Sequence, residues 1–341
     1  MLRREFLQTL IAAGAATLVG SRIGGAADTD AAPISLDIHS HAWRQNGFAA
    51  AMKQGGMNIA VMKSISDRPL IKMEGNRLRA FGSPPRGHLQ YHAMRQVGEI
   101  KRAIASEQLA TVLTPADAES ARAAGRPGII IGFEGADVLE GSLERVAEIY
   151  ADGARLLQLV HFRVNELGDI QTEEPVHNGL TPFGADVVRA CNRLGIIVDV
   201  AHATFEVTAQ VLKTATRPPV LSHTYLVERS RLHTRGITRE HARAVAEAGG
   251  AIGIVPFPTV FPTLQQYAEG IAKMANVVGV DHVGIASDMT GIPGGTPPFN
   301  NYEQIPQIVQ ALADAGFKRE DVQKIMGGNF MRVFKAVSAA A

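Results

Sequence analysis

Cysteine, aromatic residues and unbalanced charge are all scarce in this sequence. Its 341 residues include one cysteine, Cys191, one tryptophan and 6% aromatic residues, and the formal net charge is +1. A single cysteine excludes an internal disulfide. Cys191 falls within a helical pattern, which favours packing in the core over a role as a nucleophile. The near-zero charge gives no electrostatic reason to expect nucleic acid or an acidic membrane surface as a partner.

An apolar run that raises the question of a membrane anchor occurs at the amino terminus. The motif Arg3-Arg4-Glu5-Phe6-Leu7 precedes apolar residues 10–19 and then Gly- and Ala-rich sequence. This arrangement resembles a twin-arginine export signal, and the apolar run is too short for the alternative, a membrane anchor. We predict that residues 1–27 are a signal peptide and that the protein is periplasmic or otherwise exported. Removing them takes away three arginines and one glutamate, so the formal charge becomes −1.

Strand-like and helix-like patterns alternate along the rest of the chain, which we interpret as one domain, residues 28–341. Several strand candidates are continuous apolar runs, as strands buried on both faces of a parallel sheet require. Thr114 before Pro115 is typical of a helix start, and Gly195 of a helix end. The alternation predicts a (β/α)8 barrel with its active site at the carboxyl ends of the strands, and a doubly wound open sheet is the alternative. The strand candidates are residues 34–38, 59–65, 129–133, 156–160, 196–200, 220–222, 251–255 and 282–287, with a weaker one at 109–113.

Residues 66–108 are the least regular region and include Pro69 and Pro84. We interpret them as a long insertion over the barrel mouth that acts as a lid. His88 and His92 lie four residues apart on a predicted helix within this region. That spacing suits a metal ion, but a solvated helix face is the preferred interpretation.

Two histidines follow an apolar run near the start of the domain, in Asp37-Ile38-His39-Ser40-His41. On a strand of period two, His39 and His41 face the same side, and two neutral imidazoles so placed can hold one metal ion. Two histidines that merely alternate are the alternative. One polar residue at a strand end can be explained by packing, but several at successive strand ends cannot easily be. The recurrence of such residues therefore predicts a metal site. The further candidates at strand ends are Glu134, His202, His223 and Asp288.

Several short blocks of sequence carry a resemblance to a known family. They are Gly179-Leu180-Thr181-Pro182-Phe183-Gly184, Asn192-Arg193-Leu194-Gly195, Val198-Asp199-Val200-Ala201-His202, Leu221-Ser222-His223, Asp281-His282-Val283-Gly284-Ile285-Ala286-Ser287-Asp288 and Gly328-Asn329-Phe330-Met331-Arg332-Val333. Through them, most of residues 34–335 resembles the membrane (renal) dipeptidase family of the amidohydrolase superfamily.

The resemblance implies a pair of divalent metal ions. By position, His39, His41 and Glu134 would bind the first ion. Glu134, His202 and His223 would bind the second, so that Glu134 bridges the two. Zinc is the first expectation from this set of ligands, with iron, manganese and cobalt as alternatives.

The resemblance also implies residues that act on the substrate. Asp288 matches the acid beside the metal-bound water, and His161 matches the histidine that contacts the substrate carbonyl. Arg235 lies near the arginine that takes the substrate's carboxylate, with Arg229 and Arg231 as rivals for that role.

Two positions depart from the family pattern. The family usually has His-x-Asp in the first motif, whereas His41 takes the place of the acid here, and the cluster loses one negative charge. After Gly55-Gly56 the family tends to have Gln-Phe-Trp, whereas this chain reads Met57-Asn58-Ile59-Ala60-Val61-Met62-Lys63. Both differences bear on the substrate.

The residues and the resemblance together predict an exported binuclear metal-dependent dipeptidase that hydrolyses a dipeptide with a metal-bridging water. One alternative is a metal-dependent hydrolase acting on another small amide, a lactam or a lactone. A second is a non-catalytic periplasmic metal- or ligand-binding protein, which Asp288 argues against because binding alone has less need of an acid there. Expected partners are the small-molecule substrate, the twin-arginine export machinery and, as one option, a second copy in a homodimer, with no nucleic acid.

Overall fold

A barrel of parallel strands surrounded by helices makes up the body of the computed structural model, which describes residues 33–75, 77–229 and 234–339. The predicted signal, residues 1–27, lies outside this part of the chain. The strands in chain order are β1 Leu36–Ser40, β2 Ile59–Ile65, β3 Ile71–Glu74, β4 Arg77–Ala80, β5 Ala110–Thr111, β6 Gly128–Glu134, β7 Ala154–Gln158, β8 Ile197–Asp199, β9 Val220–Thr224, β10 Ala251–Ile254 and β11 Val283–Ile285.

Parallel pairing runs through the barrel in the order β1-β2-β6-β7-β8-β9-β10-β11. The weak candidate at 109–113 appears as β5, which pairs with the first residues of β6 and lies off this path. The barrel closes just beyond β11, where the Asp288 amide donates to the His39 carbonyl at 2.9 Å and the His41 amide donates to the Met289 carbonyl at 3.2 Å. The prediction of a (β/α)8 barrel is confirmed, and the open-sheet alternative is wrong.

Helices connect the strands and begin and end largely where the local sequence indicates. The Thr114 side chain caps one helix in a reciprocal capping box with Asp117, and Gly195 ends another in the left-handed conformation, φ 77°. In the described residues, none of the helices has the length and apolar character needed to span a membrane. The helices are α1 Phe48–Gly55, α2 His88–Ser106, α3 Pro115–Ala123, α4 Arg145–Ala151, α5 Pro182–Leu194, α6 Phe205–Thr214, α7 Arg239–Glu247, α8 Leu264–Val278, α9 Ile305–Asp314, α10 Arg319–Gln323 and α11 Asn329–Ser338. Short 3₁₀ turns lie at Ala42–Arg44, Arg68–Leu70, Ala136–Leu139, Val280–His282 and Tyr302–Gln304, and a π-helical turn lies at Lys324–Gly328.

The barrel strands are buried along their whole length, as the continuous apolar sequences of several of them predict. Every residue of β2 and β6 is buried, which is the environment of a parallel sheet covered by helices. Cys191 of α5 is also fully buried, and burial raises the pKa of its thiol to about 12. That environment confirms Cys191 as a packing residue.

The predicted insertion contains more regular structure than its sequence indicates. Its second half is the amphipathic helix α2, which buries Ala93 and Val97 against the barrel, so the irregular part narrows to residues 66–87. There, β3 and β4 form an antiparallel hairpin. Arg79 of the hairpin binds the Glu173 carboxylate through Nε at 2.9 Å and Nη2 at 3.1 Å, which ties the hairpin to the loop after β7. The lid role stays a prediction.

Candidate metal centre

The predicted ligands meet at the carboxyl end of the barrel. Glu134 is the last residue of β6, and its carboxylate lies at the centre of the group. Its Oε2 lies 3.1 Å from His41 Nε2. Its Oε1 lies 3.3 Å from His39 Nε2, 3.6 Å from His223 Nε2 and 3.7 Å from His202 Nε2.

Asp288 completes this cluster, with Oδ1 3.5 Å from His41 Nε2 and 3.7 Å from His39 Nε2. The donor atoms fall into three groups of residues whose ligand atoms all lie within 4.8 Å of one another, and every member is buried. These groups are His39-Glu134-His223, His39-His41-Asp288 and Glu134-His161-His202.

Hydrogen bonds on the far side of the imidazoles fix which nitrogen faces the cluster. His41 Nδ1 lies 3.2 Å from the Lys63 carbonyl, which can only accept, so Nδ1 carries the proton and Nε2 presents a lone pair. Ser222 Oγ lies 3.0 Å from Nδ1 of both His39 and His223. These contacts hold the outer nitrogen of each ring, so that Nε2 of His39 and Nε2 of His223 face the cluster.

Four histidines of the cluster, His39, His41, His202 and His223, are neutral at neutral pH. Burial lowers the pKa of His39 to about 4 and lowers the pKa of His41 below its usual value. Burial also brings the pKa values of His202 and His223 well below the ordinary value of histidine. Neutral imidazole is the form that binds a metal ion.

Burial acts in the same direction on both carboxylates of the cluster, but their pKa values end on opposite sides of the usual value. Burial opposes the charge of Glu134, but the charge of His161 and contacts from His39 and His41 outweigh it and hold the pKa of Glu134 well below its usual value. Burial, together with the charge of Glu134, raises the pKa of Asp288 well above its usual value.

The donor set fits a divalent cation. The Nε2 atoms approach one another in pairs, with 3.3 Å between His39 and His41 and 3.0 Å between His202 and His223. Facing lone pairs without a proton between them repel, whereas a cation between them turns each into a ligand. Nitrogen and carboxylate donors in this number suit zinc and related transition metals.

Two residues of the cluster hold unusual backbone conformations. His202 has φ 67° and Asp288 has φ 47°, the left-handed region that residues other than glycine rarely adopt. Each lies three residues beyond the end of its strand, where the chain turns away from the barrel. Such strain commonly accompanies a functional site.

His161 differs from the other histidines because a carboxylate holds its outer nitrogen. Its Nδ1 lies 2.7 Å from Asp67 Oδ1, and its Nε2 lies 3.4 Å from Glu134 Oε1. Burial opposes a charged ring, but the charges of Asp67 and Glu134 prevail and raise the pKa of His161 to about 9. This ring is a proton donor facing the cluster.

Arg235 lies in the loop after β9, next to His223. Its guanidinium donates through Nη1 to Gln171 Oε1 at 2.6 Å and through Nη2 to the His223 carbonyl at 3.4 Å. Burial lowers its pKa to about 10, so it stays charged at neutral pH. Of its predicted rivals, Arg229 is exposed to solvent and Arg231 lies outside the described residues.

The histidine pair on α2 is separate from this cluster. His88 is exposed and His92 is half-buried, and neither belongs to the groups of metal-ligand atoms found among the described residues. The structure thus agrees with a solvated helix face at His88.

The structure adds residues that the sequence patterns did not single out. Asp67 binds His161, and it follows β2 by two residues, so the rule that found the other strand-end residues applied to it as well. Gln171 binds Arg235 from a loop without a sequence signal. Lys63 Nζ donates to Asp199 Oδ2 at 2.8 Å inside the barrel, where both side chains are fully buried.

Known structures share this fold across most of the chain. An amidohydrolase from Pseudomonas aeruginosa superposes with a TM-score of 0.78 at 23% identity, covering 91% of this chain and 98% of its own. A metallo peptidase from Rhodobacter sphaeroides, liganded with a phosphinate mimic of the dipeptide L-Ala-D-Ala, gives a TM-score of 0.76 at 20% identity, covering 90% and 99%. At these identities the likeness establishes the fold.

Sequence comparison identifies the family. Dipeptidase tcpJ from Claviceps purpurea is 30% identical over 227 residues, 64% of this chain and 52% of that protein. Dipeptidase aclJ from Aspergillus oryzae is 28% identical over 225 residues, 64% and 53% respectively. The chain therefore spans about half the length of these curated relatives. The profile of the family described as Membrane dipeptidase (Peptidase family M19) matches residues 86–341, and with most of its length matched, the chain belongs to the membrane dipeptidase family.

Proposed function

We propose that the protein is an exported dipeptidase that depends on two divalent metal ions. The observation that carries this proposal is the convergence of four imidazole Nε2 atoms on Glu134, whose two carboxylate oxygens face different histidines. Oε2 faces His41, and Oε1 faces His39, His202 and His223. A carboxylate so placed is suited to bridge two cations.

The chain's own residues would hold the ions in two overlapping sets. His39, His41 and Glu134 form the first set, and Glu134, His202 and His223 form the second. Zinc is the first candidate for both. When bound, divalent ions supply Lewis acidity that polarises a carbonyl and acidifies water.

Three further residues would act on the substrate. Asp288, buried beside His39 and His41, would accept the proton of the attacking water and pass it to the leaving amine. His161 would donate from Nε2 to the substrate carbonyl oxygen as charge develops there. Arg235 would pair with the free carboxylate at the substrate's carboxyl end.

The family supports a dipeptide as the substrate, because relatives that match this chain carry the name dipeptidase. The Rhodobacter sphaeroides structure holds a mimic of L-Ala-D-Ala. A small substrate with a free carboxylate also suits a site that places one guanidinium next to the metal ligands.

The direct test combines metal analysis with a hydrolysis screen. Purified protein is dialysed, its metal content is measured, and L,L-, L,D- and D,D-dipeptides are offered before and after chelation and metal restoration. We expect about two metal ions per chain and metal-dependent release of free amino acids. A metal-free protein that is active, or a metal-loaded protein inactive on all dipeptides, contradicts the proposal.

One observation favours a second candidate, a hydrolase of another small amide, a lactam or a lactone. Where the family usually has an acid, this chain has His41, whose Nε2 lies 3.1 Å from Glu134. The cluster thus carries one negative charge fewer. Neutral amides, lactams and lactones belong in the same screen, and turnover of these in preference to dipeptides selects this candidate.

Export is the remaining part of the proposal and rests on the sequence of residues 1–27. If Arg3 and Arg4 are read by the twin-arginine machinery, replacing both with Lys leaves folded protein in the cytoplasm. Fractionation of cells expressing each form tests this. Unchanged export of the double-Lys variant removes the twin-arginine part and leaves the enzymatic part intact.

A further inference from the structure

A buried carboxylate next to His161 has no part in the function proposed so far. Asp67 lies just beyond β2 and is fully buried. Its Oδ1 faces His161 Nδ1 at 2.7 Å, and its Oδ2 accepts the backbone amide of Phe162 at 3.0 Å. Each oxygen of Asp67 therefore contacts one of two consecutive residues, His161 and Phe162, at the edge of the metal centre.

This double contact fixes the orientation of the imidazole. A histidine ring can be turned by 180° about its Cβ–Cγ bond, which exchanges the places of its nitrogen and carbon atoms. In the observed orientation Nδ1 meets Asp67, whereas the turned ring would present a carbon there. The bond to the Phe162 amide keeps the carboxylate in place, so the ring has one favourable orientation, with Nε2 toward Glu134.

The backbone around Asp67 is itself anchored to the metal centre. The amide of Ser66 donates to the carbonyl of Glu134 at 2.9 Å, and the amide of Leu70 donates to the carbonyl of Asp67 at 2.9 Å. The hydrogen bond from Ser66 to Glu134 fixes the position of Asp67 relative to Glu134, the proposed bridging ligand. A displacement of Asp67 would thus change where His161 Nε2 lies.

We propose that Asp67 is a positioning residue, which holds His161 so that Nε2 points at the substrate's carbonyl oxygen. This inference rests on the proposed function, since it assigns to His161 the contact with that oxygen. Asp67 does not touch the substrate and acts through the ring. Its effect therefore exists only while His161 is present.

A double-mutant cycle on the metal-loaded enzyme tests this dependence. His161→Ala lowers kcat by about 10²–10³-fold, the usual effect of removing one donor to a developing oxyanion. Asp67→Ala lowers kcat by about 10–100-fold, as loss of an orienting partner of a functional histidine does, with KM and metal content little changed. Added to His161→Ala, Asp67→Ala lowers kcat no further.

Two additional variants distinguish a loss of positioning from a loss of folding. Asp67→Asn keeps the size of the side chain and one of its two acceptor oxygens. It can therefore keep one of the two contacts, and it retains more activity than Asp67→Ala. Glu140→Gln is the matched control, because the Glu140 carboxylate also accepts backbone amides, those of Leu89 and Gln90, at the start of α2. It leaves kcat unchanged.

The outcome separates this inference from the choice of substrate. All variants are compared on whichever amide the wild-type enzyme hydrolyses, so failure on dipeptides contradicts the proposed function alone. A crystal structure of Asp67→Ala adds a readout without turnover, in which the His161 ring is turned or occupies two orientations. An unchanged ring, or an equal loss of kcat from Asp67→Ala with and without His161, overturns the positioning role.

Discussion

Lys63 donates a hydrogen bond to Asp199 at 2.8 Å inside the barrel, and neither side chain is exposed. Gly132 of the neighbouring strand makes room for the lysine stem, because a Cβ on Gly132 would lie 3.0 Å from Lys63 Cδ. Asp199 also accepts the amides of Ala201 and Ser222 through Oδ1. The pair thus joins β2 to β8, which leads to His202, and to β9, which contains His223.

The first prediction concerns the stability of this pair. Lys63→Met leaves the Asp199 carboxylate buried without a cation, so the free energy of unfolding should fall by about 3–5 kcal/mol. Adding Asp199→Asn removes that charge and keeps an oxygen for the two backbone amides, so much of the loss should be recovered. Urea denaturation of both variants measures this. Equal stability of the single and double variants would mean that the two charges are independent.

The pair also shows where sequence patterns stop being informative. The strand prediction at 59–65 matches β2 residue for residue, because a mostly apolar run follows Gly55-Gly56 and precedes Pro69. A lysine inside that run carries no local sign of its environment. Its partner lies 136 residues away in the chain.

Strand ends were less predictable where the barrel closes. Residues 282–287 were predicted as a strand, but β11 covers Val283–Ile285. His282 belongs to a 3₁₀ turn, and Ser287 leaves the strand because its amide donates to Asp37 of β1 at 2.9 Å. Such contacts between the first and the last strand of the barrel depend on its closure. The cluster itself was predictable, because every parallel strand ends on the same side.

A second prediction concerns the bridging role of Glu134. Because its two oxygens face different histidines, Glu134→Gln should weaken both metal sites together, whereas His41→Ala should mainly weaken the first. Metal-to-protein ratios after dialysis against increasing chelator distinguish these patterns. Glu134→Gln protein that retains two tightly held ions and full activity would show that the carboxylate does not bridge.

A third prediction separates proton transfer from metal binding at Asp288. Asp288→Asn preserves shape and removes the proton acceptor, so kcat should fall by about 10²–10⁴-fold, the usual contribution of a positioned acid–base group. Metal content should change little. Because Asp288 also lies within ligand distance of His39 and His41, a parallel loss of metal would instead identify it as a ligand. A near-normal rate would assign the proton to another residue.

A fourth prediction concerns pH and stability at a buried histidine that is not one of the predicted metal ligands. His241 of α7 is buried, with Nε2 2.9 Å from Thr208 Oγ1, and burial lowers its pKa from 6.5 to about 4. The unfolded chain binds this proton more readily than the folded chain, so stability is lost as pH falls from 6.5 toward 4. Between pH 7.5 and pH 5, His241 should remove about 2 kcal/mol from the free energy of unfolding.

His241→Gln supplies the control, since an amide keeps a partner for Thr208 and does not titrate. The difference in unfolding free energy between wild type and variant, measured by urea denaturation at both pH values, should shift by that amount in favour of the variant at pH 5. Other titrating groups cancel in this difference. A difference that is the same at both pH values contradicts a lowered pKa for His241.

The last prediction decides between a dipeptidase and a broader hydrolase. A dipeptidase must recognise a free carboxylate one residue beyond the bond that it cleaves, and a guanidinium matches a carboxylate with paired hydrogen bonds. Arg235 is positioned for this by Gln171 and by the carbonyl of His223. Amidating the carboxyl terminus of the dipeptide should therefore abolish turnover, and Arg235→Lys should lose much of kcat/KM. Arg229→Ala, which alters an exposed arginine of the same loop, should retain activity. Hydrolysis of carboxyl-terminal amides or neutral lactones at rates similar to those of free dipeptides would instead establish the broader amide or lactone hydrolase, because such substrates offer Arg235 no charge to bind.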